Sequence, residues 1–506
     1  MKTTLCTLLA LLVSGQLAAK TVTYEQFGAK GDGKTDDRAA IVAAHAHANK
    51  IGASVRAKDG AVYFIGKGAE TATVKTDVDF GKAKFIIDDV DIPKLNSPLF
   101  RVEPTGKEFK ITEVKSLRRD QKTIGMKLPC ACLVHIQDSN IRRYIRLGPN
   151  QNNGTAQQET IVVDKNGRID PSAPLLWDYP EVTAMTAYPI DPKKLTIRGG
   201  HFTTIANQRE SKYTYHTRGF VINRSNVEIS SISHDIIGEL DHGAPYASFI
   251  GVQFAFNVTV SDCVLTGHRT YMTIGSAKRP VPMGSYELGV NNSIGVSIVN
   301  CRQTNDINDR RYWGIFASNY CKNLLFDKCE FSRFDAHMGV YNATILNSRL
   351  GYMGIHAIGA GVFTVENTTV YANEFFELRP DYGSTWEGEF IVRNCRFVPA
   401  NGRKIAGCLV MGRNSGMHDF GYTCHMPAKI VFDGLEIDDS SHPDKYSGPF
   451  IFSDFNPERR DDTYQEKFPY VLTREVVLKN VTTKSGKSVN LSPNGHMFKD
   501  VKVTKK

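Results

Sequence analysis

From about residue 195 onward, apolar and polar positions alternate in a succession of short runs, with apolar residues in every second place. NVTVSDCVL (257–265), GVSIVNCRQ (295–303), NLLFDKCEF (323–331), TILNSRL (344–350), FTVENTTV (363–370), FIVRNCRF (390–397) and KIVFDGLEI (429–437) follow one order. Most read apolar, any residue, apolar, a polar or small residue, then Cys or a small residue and another apolar one. LTIRGGHF and NVEISSIS precede the set and EVVLKNVTT follows it. A period of two predicts strands with one face buried, and no helical pattern intervenes between them. With Cys263, Cys301, Cys329, Ser348, Thr368 and Cys395 as equivalent positions, the steps are 38, 28, 19, 20 and 27 residues, a mean of about 26. That is the repeat length of a solenoid whose constant coil carries loops of varying length. The prediction is an all-β chain wound as a parallel β-helix.

The N-terminal pattern differs. TVTYEQFGAKGDGKTDDRAAIVAAHAHANK (21–50) reads as a strand, a Gly-rich turn and a helix capped by Thr35 or Asp36. A solenoid end exposes its apolar core, and this helix supplies the lid. Asp32, Asp36 and Asp37 are assigned to capping and turn chemistry, since the calcium-loop pattern is absent. Residues 93–192 break the coil rhythm with charged and Pro-rich segments and are expected to form an inserted β-rich subdomain, while 440–472 reads as a second excursion. The expected division is therefore 1–19 a leader, 20–92 cap and first coils, 93–192 the insertion, and 193–506 the coils carrying the groove.

The leader prediction rests on Lys2 followed by the apolar run Leu5–Val13 and small residues, with cleavage after Ala19. It implies a secreted or periplasmic protein. No later stretch approaches the roughly 18 apolar residues of a membrane span. Of ten cysteines one lies in the leader, leaving an odd nine, so at least one is a free thiol or pairs between chains. Cys263, Cys301, Cys329 and Cys395 are expected to stack as small hydrophobes in an interior ladder, and their spacing matches no zinc site. Asn226, Asn257 and Asn323 are expected to form a similar ladder at turns, burying the Asn257-Val-Thr sequon. The formal net charge of +9 favours an anionic partner, but the basic residues are interspersed with acids, which argues against nucleic acid.

FGAKGDGKTDDRAAI (27–41) resembles the N-terminal signature of secreted right-handed parallel β-helix enzymes of the pectate-lyase-like and polygalacturonase superfamily. The resemblance implies a right-handed helix and action on uronate-containing polysaccharides. Polygalacturonase-type hydrolases carry Asn-Thr-Asp, Asp-Asp, Gly-His-Gly and Arg-Ile-Lys on successive coils. This chain lacks that series after residue 195; Asp306 and Asp309 come nearest.

Strand alternation locates the candidate chemistry. In FSRFDAHMGVYN, Phe334, Ala336, Met338 and Val340 are expected inward, which turns Arg333, Asp335, His337 and Tyr341 outward. Aligning YWGIF, HMGVY and YMGIH on their glycines sets Tyr312, His337 and Tyr352 in one file and Phe316, Tyr341 and His356 in the next. Glu377 and Arg379 follow, with Asp381, Tyr382 and Trp386 in the loop beyond. A uronate lyase needs a cation for the carboxylate, a base for the C5 proton and an acid for the leaving oxygen. His337 is assigned as base, Tyr341 as acid and Arg379 as neutraliser, with His356 and Arg333 as further members of the catalytic set. Arg310, Arg311, Tyr271, Lys278, Tyr382 and Trp386 are assigned to substrate binding, with Trp313 expected in the core. Related lyases use calcium, which Asp335, Glu377 and Asp381 have the chemistry to hold. The leading reading is thus a lyase of an acidic polysaccharide. A hydrolase using Glu377 with Asp335 or Asp381, and a non-catalytic carbohydrate-binding helix, are the alternatives, and the oligomeric state stays open.

Overall fold

The alternating runs fold as strands that pair in parallel with the strand one coil away, and thirty of them join in a single wound sheet. The computed structural model describes residues 20–94 and 96–506, so the expected leader lies outside the described residues. One coil is Tyr246–Gln253, Phe256–Ser261 and Val264–Leu265, lying over His216–Ile222, Val227–Ser230 and Ser233–Ile237 of the coil before. The architecture is a right-handed parallel β-helix. Val258 pairs with Val296, Ser297 with Leu325, Leu324 with Ala343, Ala343 with Phe363 and Phe363 with Phe390. These offsets reproduce the expected coil steps.

Inside, side chains stack along the helix axis. The Cys263 amide donates to Cys301 Sγ at 3.4 Å, the Cys329 amide to Ser348 Oγ at 3.0 Å and the Ser348 amide to Thr368 Oγ1 at 3.2 Å. The expected ladder therefore exists, with Ser and Thr replacing Cys on tighter coils, and all nine cysteines among the described residues are free. Burial raises the thiol pKa of Cys321, Cys329 and Cys395, so these groups are packing atoms and not nucleophiles. The asparagines mark corners: Asn226, Asn257, Asn323 and Asn342 adopt positive φ. Asn257 donates to Asn226 at 2.7 Å and Asn342 to Asn323 at 3.1 Å. Asn257 itself is exposed, contrary to the expected burial of its sequon, because the corner turns its side chain outward.

The lid is the helix Arg38–Ile51, which lays Ile41, Ala44 and Ala48 on the first coils. Its N-cap residue is Asp37, one beyond the expected position. The Asp37 carboxylate accepts from the Lys30 and Gly31 amides at 2.6 and 3.1 Å, while Asp36 takes the Arg38 amide at 3.0 Å. Asp32 accepts from the amides of Lys34 and Thr35. All three serve the turn.

The insertion is a four-stranded antiparallel sheet of Phe109–Lys110, Cys132–Arg143, Thr155–Val163 and Ala184–Pro189 with its own apolar core. It starts later than expected. Phe100–Val102 pairs with Ala72–Val74 and with Phe220–Ile222, and so belongs to the solenoid. Likewise Phe450–Phe452, inside the expected excursion at 440–472, pairs as a solenoid strand with Cys408–Met411. Among the contacts that anchor the insertion, Leu133 and Ala173 pack on Ile294, Glu159 holds Lys322 at 2.6 Å and Arg119 pairs with Glu387 at 2.8 Å.

Candidate active site

Adjacent coils bring Asp335, His356 and Glu377 side by side, since Asp335 pairs with His356 and His356 with Glu377. This corrects the glycine-based alignment, which set Tyr341 beside His356. In the solenoid Arg333 pairs with Gly354, and Gly314 clears the space beneath it: a Cβ there would stand 2.4 Å from Arg333 Cδ. The inward neighbours Phe334, Ile355 and Phe376 bury fully and fix the direction of the outward set. The result is a groove of about 720 Å³ lined by Arg333, His337, His356, Glu377, Arg379 and Asp381. Arg146 and Asn150 come from the insertion, and Tyr213, Tyr215, Tyr286 and Trp313 form aromatic walls.

Its charges form one alternating chain. Arg333 donates through Nη2 to Asp335. Arg379 donates through Nη1 to the same carboxylate at 3.1 Å and through Nε and Nη2 to Asp381 at 3.1 and 2.8 Å. Arg146 closes the chain on Asp381 at 2.8 Å. Burial works to raise the Asp381 pKa, but the Arg379 charge and hydrogen bonds, with Arg146, outweigh it and hold the group ionised. Three cations against two carboxylates leave the chain net positive.

The arginines differ in what they have left to offer. Every nitrogen of Arg379 is engaged, whereas Arg333, only 3% exposed, leaves Nε and Nη1 without an acceptor. The Tyr286 hydroxyl lies beside it. A buried guanidinium with open donors is costly unless an anion completes it. Arg333 is thus the groove arginine with donors left over, and Arg379 is the one fully engaged.

His337 has a defined tautomer. Asn319 donates its amide to Asn291 at 2.7 Å, which turns the Asn319 carbonyl toward His337 Nδ1 at 3.0 Å. Nδ1 thus carries the proton and Nε2 keeps its lone pair. Burial, reinforced by the Arg379 and Arg146 charges, pushes the His337 pKa well down and keeps the ring neutral. His356 is depressed in the same way by burial and by Arg333, and its Nε2 lies 3.3 Å from Glu377. Glu377 is raised by burial, and its neighbour Glu374 is pushed up to about 8 by burial and the Glu377 charge. Of the two, Glu374 is therefore the one that holds a proton at neutral pH, beside the Glu377 carboxyl.

Several expected members lie elsewhere. The register slips by one residue between Ser318–Ala336 and Asn319–Met338, and Gly339 adopts φ +83°. Alternation is interrupted there: His337 and Met338 both face the groove, and beyond the bend the outward Tyr341 opens on a separate cleft. Tyr382 and Trp386 are core residues, Trp386 donating to the Gly361 carbonyl at 3.0 Å and packing on Phe363 and Phe390. Tyr271 is buried against Glu239 at 2.8 Å, and Lys278 sits exposed at the turn joining Tyr271–Ile274 to Pro280–Met283. Arg310 bonds Asn373 at 3.4 Å and Arg311 pairs with Asp309, both exposed and outside the groove lining. Trp313, expected inside, lines the groove beneath Arg333 at 5.6 Å.

The calcium set does not fit. Asp335 and Asp381 are held by arginines and Glu377 faces His356, and among the described residues no three His, Cys, Asp or Glu converge as metal ligands. Sequence reasoning missed Arg146, because nothing in NIRRYIRLG marks it as reaching a coil more than two hundred residues on. It also missed Tyr213 and Tyr215, although their spacing in YTYHT sets both on one face of an extended segment.

No family model matches the sequence, and no curated protein is a recognisable relative. Solved structures do match. The tailspike gp61 of Pseudomonas phage phi297 aligns at a TM-score of 0.52 and 13% identity, covering 91% of this chain and 80% of that one. The tailspike gp49 from Pseudomonas phage LKA1 gives 0.53 and 12%, covering 91% and 81%. The Gp54 tailspike of Acinetobacter baumannii bacteriophage AP22, solved in complex with A. baumannii capsular saccharide, gives 0.52 and 10%, covering 96% and 79%. The likeness is one of fold. The chain shares the wound parallel sheet of these tailspikes along nearly its whole length, and the residues of the groove must supply the function themselves.

Proposed function

We propose that this protein is an exported lyase that cleaves an acidic polysaccharide at a uronate unit by β-elimination. The observation that carries the reading is the buried Arg333, with two open donors, in the same groove as the neutral His337. Arg333 receives the uronate carboxylate and stabilises the charge that develops on it as C5 loses its proton. His337 Nε2 accepts that proton, the C5–H electrons form the C4–C5 double bond, and the C4–O4 bond breaks. A groove tyrosine, Tyr286 beside Arg333 or Tyr215 stacked on it at 6.4 Å, returns a proton to O4. Burial raises the Tyr215 pKa, so its phenol carries a proton to give. Tyr213 and Trp313 offer surfaces for neighbouring sugars. The AP22 tailspike, bound to a capsular saccharide, supports a polysaccharide as the partner of this fold.

One observation favours a second reading. Burial raises the Glu377 pKa, the direction a general acid needs, and Asp381, held ionised by its arginines, or Asp335 is its partner in a hydrolase pair. Incubating the protein with a panel of uronate polysaccharides separates the two. Unsaturated-uronate absorbance rising together with new reducing ends supports elimination. Reducing ends without absorbance support the hydrolase, and silence in both assays removes catalysis on those polymers.

A further inference from the structure

Tyr341, absent from the groove, lines a cleft of about 310 Å³ where the insertion meets the solenoid. Trp177 and Tyr144 of the insertion line it together with Tyr422, which packs on them at 6.3 and 5.3 Å, and Tyr341 comes from the solenoid strand. The floor is bare main chain. At Gly359 a Cβ would stand 1.9 Å from the Val340 carbonyl, and at Gly339 it would meet the Tyr144 hydroxyl at 2.1 Å. Tyr144 packs on Tyr320 and Tyr382 at 5.6 and 6.1 Å, and Tyr382 meets His337 at 5.5 Å, so aromatic rings part the cleft from the groove.

The charges within it do not cancel. Lys322 pairs with Glu159, and Arg119 forks Glu387 at 2.8 and 3.2 Å. His425 is kept neutral by burial. Arg143 remains. Its Nε donates to Gln157 at 2.9 Å, its Nη1 donates to the Gly421 carbonyl, and its plane lies 4.4 Å over Trp177. No carboxylate among the described residues pairs with it, and Nη2 has no protein acceptor.

We propose that this cleft is a second glycan site holding one acidic sugar unit, its ring against the aromatic walls and its carboxylate on Arg143. The inference rests on the reading that the protein handles acidic glycans. Aromatic faces and a few placed polar groups are the ordinary composition of a sugar pocket, and the volume lies at the lower end for ligand sites, suited to a single unit.

Tryptophan emission tests it, because the three tryptophans are Trp177 in the cleft, Trp313 in the groove and Trp386 in the core. In Trp313→Phe protein, glucuronate or galacturonate is titrated, with glucose as the uncharged control. The expected result is a saturable change with a uronate and none with glucose, weakened about tenfold or more by Arg143→Gln. Ala360→Phe, which fills the floor, removes the change independently should Arg143→Gln fail to fold. The response persists when Arg333→Met is added, which separates the cleft from the groove. If uronate polymers are not cleaved while the cleft still responds, the groove reading falls and the cleft stands. No saturable change with either uronate, an equal response to glucose, or indifference to both cleft variants would overturn the proposal.

Discussion

Replacing Lys322 by Met should loosen the insertion from the solenoid by a predictable amount. Lys322 and Glu159 are 2% and 5% exposed, and their ion pair at 2.6 Å is a principal polar contact between the two bodies. Burial lowers the Lys322 pKa, and the Glu159 charge opposes it, so the ammonium survives only beside that carboxylate. Without the lysine, Glu159 retains the Leu176 and Trp177 amides at 3.0 and 3.2 Å but faces the solenoid as an unpaired buried charge. Breaking such a pair costs about 3–5 kcal/mol. At roughly 1.4 kcal/mol per factor of ten, the undocked population rises by about two to three and a half orders of magnitude. Adding Glu159→Gln removes the stranded charge and should restore most of the loss, because the double change leaves a neutral amide on the same backbone donors. Hydrogen exchange of the strand Thr155–Val163, with denaturant unfolding of both variants, reads the effect. A single variant within about 0.5 kcal/mol of the parent would refute this reasoning, as would a double variant no more stable than the single one.

The groove and core yield further expectations. A kcat/KM profile should already be on its plateau at pH 6.5, because His337 is held neutral below its ordinary pKa; an acid limb centred at or above 6.5 would contradict the assignment. Glu377→Gln should leave an eliminase within about tenfold of the parent, whereas a hydrolase would lose about a thousandfold or more. His268 is disfavoured as a cation by burial, but hydrogen bonds and charges of Glu239 and Glu287 overcome this and raise its pKa to about 10. Its stabilisation is therefore complete below about 6.5 and fades as pH rises through 10, by a few kcal/mol at most. Melting temperatures from pH 6 to 10.5 that do not fall more for the parent than for His268→Gln would rule this out. Thiol titration should find Cys130 reacting first in the native protein and the other eight of the nine only on unfolding, Cys408 among them because burial pushes its thiol up to about 12.

Coil geometry was legible because it repeats. Cys263, Cys301 and Cys329 mark one interior file, and Ser348 and Thr368 continue it with side chains of similar size, so spacing alone recovered the register. Arg333, Asp335 and His337 were legible for the same reason, since each lies within an unbroken alternation. Tyr341 was not. Val340 is buried and Tyr341 outward as alternation predicts, but beyond the bend at Gly339 the outward side opens on the separate cleft, and no composition signal announces such a bend. Trp386 and Tyr382 misled because large aromatics suit a sugar platform and a solenoid core equally well, and local sequence does not say which side of the sheet follows a turn such as Pro380–Tyr382. The contributions of Arg146, Arg143 and Trp177 depend on how the insertion docks. That docking rests on pairs far apart in the chain, such as Lys322 with Glu159, 163 residues away, and Arg146 with Asp381, 235 residues away.

The central claim, that Arg333 and His337 act together on a uronate, is tested most directly by comparing one uronate polysaccharide with the same polymer after reduction of its carboxyl groups to alcohols. Reduction removes the anion that Arg333 receives and the acidity of C5 at once. The account predicts unsaturated products and chain cleavage from the native polymer and neither from the reduced one, with Arg333→Met abolishing cleavage of the native polymer. Cleavage of both polymers at similar rates would contradict it.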